Sequence, residues 1–120
     1  MKTVLHEQGS KRIVEIIADG VVINNAQDAL DLLYNLPSPE DRQIIFHKAN
    51  ITPAFFDLKT GIAGEILQKF VNYKIRFAVV GDFQNIKSEA LRAFVIESNR
   101  GRQAFFVEDL ETAKQKLFAI

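Results

Sequence analysis

Four consecutive apolar residues, Phe77-Ala78-Val79-Val80, follow Arg76 and stop at Gly81-Asp82. A run this short, bounded by a turn signal and set between helical patterns, reads as a strand covered on both faces. Such a strand demands a layered α/β arrangement, with helices packed above and below the sheet. The rest of the chain supplies them. Thr3 to Glu7 and Arg12 to Ile17 read as strands, with Gly9-Ser10 as the hairpin loop because Gly accepts the positive φ of such turns. Asp19-Gly20 is a second turn signal, read as a bend feeding the next helix.

Asn25 and Asp28 form a capping-box pattern ahead of Ala26, Ala29, Leu30, Leu33 and Tyr34, which recur at helical spacing and end before Pro37 and Pro39. Gln43 to His47 is a strand, and Thr52-Pro53 opens a helical turn with Pro at its first position. A main helix is predicted from about Leu58 to Asn72, with Ile62, Ile66, Leu67, Phe70 and Val71 as its buried stripe. Ser88 caps a third helix that stops at Gly101. Ala104 to Val107 is a last strand, and Asp109 caps a last helix. The order β-β-α-β-α-β-α-β-α predicts one α/β domain over residues 1–120, with a mostly parallel five-stranded sheet.

The 120 residues carry fifteen basic and fifteen acidic side chains, and this neutrality argues against nucleic acid and against a polybasic membrane anchor. No stretch approaches the ~18 apolar residues of a membrane span. The apolar run within Met1 to Glu7 is too short for a signal-peptide core. A cytoplasmic protein is expected. The absence of cysteine excludes disulfides, thiolate metal sites and a thiol nucleophile. His6 and His47 show no metal-ligand spacing, and His47 as a general base lacks a recognisable nucleophile. No cofactor motif is present. The expectation is therefore a non-enzymatic protein without a cofactor or metal.

In such sheets ligands gather beyond the carboxyl ends of the strands. That rim should carry Asn24 and Asn25, Ala49 and Asn50, Gly81 and Asp82, and Glu108 and Asp109. The segment Asp57-Leu58-Lys59-Thr60-Gly61-Ile62-Ala63-Gly64-Glu65 should join them. It places an acid, a hydroxyl and two glycines where a loop becomes a helix, a position that leaves backbone N–H groups unpaired and favours negative charge. Asp57 or Thr60 is expected to cap the helix. Gly61 and Gly64 are expected to share a face and allow close backbone approach. Ten Phe residues stand beside two Tyr and no Trp, so Phe55, Phe56 or Phe83 could form an exposed contact patch, including a homodimer interface. Lys59-Thr60-Gly61 is not a penicillin-recognising box, because the Ser-x-x-Lys partner motif is missing.

Two family resemblances follow from these residues. The element order and the Thr60-Gly61 pair opening the second helix resemble the STAS domain of bacterial anti-sigma-factor antagonists and sulfate-transporter tails. There, a serine before Gly in an Asp-Ser-Ser-Gly-Leu-Gly type motif is phosphorylated by a partner kinase. The resemblance implies Thr60 as phosphoacceptor and Asp57 as the preceding acid. A closer similarity, over nearly the full length, is to the bacterial family called domain of unknown function 4180. It is carried by Gln27 to Leu32, Phe55 to Phe70 and Val80-Gly81-Asp82-Phe83. The resulting expectation is a regulatory module that binds a protein partner through Asp57, Lys59, Thr60, Gly61 and Gly64, with Phe56, Gly81, Asp82 and Phe83. Its alternative is a small-molecule sensor or weak enzyme at the same rim, for an anionic ligand.

Overall fold

A computed structural model describes residues 1–120. The strands are β1 (Lys2–Gln8), β2 (Lys11–Ile17), β3 (Gln43–His47), β4 (Arg76–Val80) and β5 (Ala104–Val107). The helices are α1 (Ala26–Tyr34), α2 (Ile62–Asn72), α3 (Glu89–Arg100) and α4 (Leu110–Phe118). The predicted caps form where expected. Asn25 accepts from Asp28 N, Ser88 from Leu91 N and Asp109 from Thr112 N.

The five strands lie side by side in chain order. The sheet is mixed, which corrects the expectation of a mostly parallel one. The β1–β2 ladder is antiparallel and the longest, running from Lys2↔Ile17 to Gln8↔Lys11. The other three pairings are parallel, and β2–β3 holds only Val14↔Ile44 and Glu15↔Ile45 in register. The cause is the tight Gly9-Ser10 turn, with Gly9 at φ +62, which returns the chain beside itself over seven residues.

Sequential strand order has a second effect. Crossovers of one hand, all stepping in one direction, place their helices on one face. Accordingly α1, α2 and α3 share a core with Val14, Ile16, Ile44, Phe46, Phe77, Val79, Ala104 and Phe106. Only α4 folds back onto the other face, where Ala113 and Leu117 meet Ile13, Ile45, Ala78, Phe105 and Val107. The order never reverses, so the sheet has no topological switch point.

Two polar side chains anchor the periphery. Asp41 is buried and accepts from Arg12 Nε at 2.8 Å and Ser38 N at 2.9 Å. That pairing holds the Arg12 guanidinium above its ordinary range. Asn50 is also buried, and its Nδ2 donates to the carbonyls of Ala18 and Gly20, each at 2.8 Å. Val22 N and Ile23 N donate to the Asn50 carbonyl, and Ile23 bridges Ile51. The Asp19-Gly20 bend is thus tied to the turn after β3.

The main helix starts later than predicted, at Ile62. Leu58–Thr60 is a separate 3-10 turn, divided from α2 by Gly61 at φ +78. A left-handed residue cannot continue a right-handed helix, and Gly is the residue that adopts it at little cost.

Candidate functional site

The carboxyl ends of β3 and β4 open into a cleft of about 730 Å³. It is lined by His47, Val80, Gly81 and Asp82 at and after the strand ends, by Lys48, Ala49, Ile51, Pro53 and Phe56 from the segment after β3, and by Val21. Gly81 is there for close packing. A Cβ at this position would lie 2.5 Å from Lys48 Cβ, so any side chain would displace the Lys48 stem. The stem directs the ammonium group across the lip, where Nζ donates to the Asp82 carbonyl at 2.7 Å. The same ammonium lies 4.8 Å from the Phe83 ring centroid and 5.4 Å from that of Phe56, both cation–π distances. Phe56 and Phe83 in turn pack on each other at 5.9 Å and on Phe106 of the core. Phe83 N donates to Glu108, and Gln84 N to the Asp82 carboxylate.

Beneath the cleft lies a cluster with no signature in the sequence. Glu15, in the middle of β2, is buried and receives His47 Nε2 at 2.6 Å and His6 Nε2 at 2.9 Å. Burial alone would raise its pKa. The hydrogen bonds and charge of the two imidazoles outweigh burial, and the carboxyl sits below the usual carboxylate range. An ionised carboxylate only accepts, so both histidines present an Nε2 proton to it. His6 lines a second cleft, of about 760 Å³, between β1 and α4. The sequence set His6 and His47 apart. The antiparallel and parallel registers of three adjacent strands bring them to one acid.

The segment expected to be the centre of the site divides into parts. Asp57 accepts from Lys59 N at 3.3 Å and so caps the short turn rather than α2. The exposed Thr60 hydroxyl lies 2.7 Å from the Ala54 carbonyl and 2.9 Å from that of Asp57, and accepts from Ile62 N at 3.2 Å. It therefore ties the start of α2 to the Pro53–Phe56 turn that walls the cleft. Gly61 and Gly64 lie elsewhere, in an open groove with Ala26, Glu65, Gln68 and Lys69. The expected close approach at these glycines is not found, because a Cβ at either would meet nothing within 4 Å. Gly61 answers to its positive φ, and Gly64 has no packing requirement.

No helix is long and apolar enough to cross a membrane. Residues 8–117 match the family described as Domain of unknown function (DUF4180), and the chain belongs to that family. No curated protein and no solved structure matches it.

Proposed function

We propose that this DUF4180 member is a non-enzymatic regulatory module of STAS-like type, acting in the cytoplasm and binding a protein partner at the carboxyl rim. Phosphorylation of Thr60 is its switch. One observation carries the reading: the Thr60 hydroxyl bonds the Ala54 carbonyl, two residues before the Phe56 that walls the rim cleft. Phosphorylation removes the hydroxyl proton and adds close to two negative charges. The modified side chain no longer donates to the carbonyls of Ala54 or Asp57, and negative charge is added where the hydroxyl met them. The Pro53–Phe56 turn is released from α2, and Phe56 shifts against Phe83. The module thus reports the state of Thr60 through the shape of the rim. No hydroxyl or thiol lines the cleft beside His47, which supports binding over covalent catalysis.

The test uses wild-type, Thr60→Ala and Thr60→Glu chains as baits in lysate of the source organism, read by mass spectrometry. A partner held by one Thr60 state and released by another is the expected result. Identical recovery by all three baits overturns the switch.

A second reading, a small-molecule sensor, is favoured by the size and largely apolar lining of the same cleft. It predicts a ligand-dependent rise in melting temperature, because a ligand that binds only the folded state stabilises it.

A further inference from the structure

The free border of β1 is defined by the hairpin that forms it. The ladder closes at Gln8↔Lys11 across the Gly9-Ser10 loop. A pair that closes a two-residue loop exchanges both backbone hydrogen bonds, and the exchange recurs at every second residue. Lys2, Val4, His6 and Gln8 therefore direct their N–H and C=O groups to β2. Thr3, Leu5 and Glu7 turn theirs away from it, a regular row of donors and acceptors along the edge of the sheet.

Sheets blunt such an edge with proline, a bulge or a short strand. β1 uses none of these. Its seven residues stay in unbroken register with β2 and include no Pro. Lys2 stands at one end and Glu7 near the other, with Val4 and Leu5 between them. Leu5, at the centre of the strand, is 39% exposed.

We infer that β1 pairs antiparallel with β1 of a second copy, about a two-fold axis at Leu5. This register sets Leu5 against the partner's Leu5 and Thr3 against the partner's Glu7. Those are the residues with outward backbone groups, so every outward N–H meets an outward C=O. It uses the strand along its whole length and covers each exposed Leu5 with its own copy. The basic end of one strand lies beside the acidic end of the other. An axis at Glu7 instead sets two carboxylates directly opposite, which is repulsive. The two sheets become one continuous sheet. No residue of β1 lines the rim cleft, so the pairing is independent of the proposed partner site and leaves it open. A joint of one strand from each copy is smaller than the roughly 1,600 Å² of a standard interface, and a reversible dimer that dissociates at about 10–100 µM is expected.

The experiment is sedimentation velocity of the full chain from about 5 to about 500 µM, with amide hydrogen exchange followed by NMR at both ends of that range. A monomer–dimer equilibrium is expected. Exchange at Thr3, Leu5 and Glu7 should slow about four- to tenfold at the higher concentration, while Val4, His6 and Gln8, already bonded to β2, keep their rates. Thr3→Glu places a carboxylate against the partner's Glu7, twice by symmetry, and should weaken association roughly three- to tenfold. Thr3→Lys places an ammonium there and should hold or tighten it. Thr3 neighbours Ile16 on β2, so neither change disturbs an ion pair within the chain. The chain is neutral, so a general charge repulsion weakens both variants alike. If a variant does not fold, the alternating protection in the wild-type chain decides the matter alone. A monomer at the highest concentration, with Thr3, Leu5 and Glu7 exchanging at unchanged rates, overturns the inference. A dimer whose β1 amides stay unprotected also overturns it, because its joint lies elsewhere. The exchange is repeated on isotope-labelled chain in cell lysate. Protection of β1 that appears only there assigns the edge to another protein and overturns self-pairing.

Discussion

The two faces of the sheet are built to different standards. One carries three helices over an eighteen-residue core in which Phe46, Phe70 and Phe77 pack ring on ring. The other carries a single helix, and the core there has seven buried apolar residues, two of them from the helix itself. Five strands about 4.8 Å apart span more width than one helix of about 10 Å covers. On the second face α4 lies over β4 and β5 and reaches β2, while β1 stays outside its footprint. Glu15, His6 and His47 occupy this thinly covered side. Polar chemistry collects where apolar cover gives out, and that is why two of the clefts border this cluster.

The contrast can be broken most directly at Phe70. Phe70→Ala removes a fully buried ring that lies 4.9 Å from Phe77 and 5.9 Å from Phe46. It should cost about 3–5 kcal/mol in urea unfolding. Leu117→Ala, its counterpart under α4, should cost less, because α4 is the last element and can relax into the space. Equal losses would remove the distinction between the faces.

Next in size is Glu15→Gln, expected to cost about 1–3 kcal/mol at neutral pH through lost charge-assisted hydrogen bonds. The sign of its pH dependence follows from the lowered pKa of Glu15. Its stabilisation is fully present above the unfolded-state value of about 4.3, and it is lost as pH falls through the lower folded value. Urea midpoints measured between neutral pH and strong acid should therefore fall less steeply in Glu15→Gln than in wild type. Parallel curves would mean that the cluster does not stabilise the fold.

The smallest effects sharpen the comparison on the three-helix side. Gly61→Ala should lose about 1 kcal/mol because its φ is positive. Gly64→Ala, in a helical turn with open space around it, should gain roughly 0.5–1 kcal/mol in thermal unfolding. A Gly64→Ala chain that is more stable yet weaker in partner capture would show that this glycine serves binding rather than folding.

Local signals carried most of the fold. Caps at Asn25, Ser88 and Asp109, and apolar runs such as Phe77 to Val80, depend on neighbours a few residues away, and each formed where predicted. The observed start of α2 differs from the predicted one because Thr60 and Gly61 fit a helix start equally well as cap or as break. Only the backbone angle of Gly61 separates the two. Glu15 was invisible as a site because its partners lie nine residues before it and thirty-two after it, joined only by strand register. Gly81 reads as a strand stop in the sequence, but its reason is the Lys48 stem, another contact across strands.

The outer edge of β5 has a consequence for assembly. Asn99 in α3 accepts from Phe106 N at 2.7 Å and donates to Phe106 O at 3.0 Å, imitating a neighbouring strand in the middle of a four-residue edge. The opposite edge, β1, has seven residues and no such plug. A sheet with one closed and one open border cannot be a link in a chain of many copies. Pairing along β1 uses up the open border of both molecules and leaves a blocked border at each end, so growth by strand addition terminates at two.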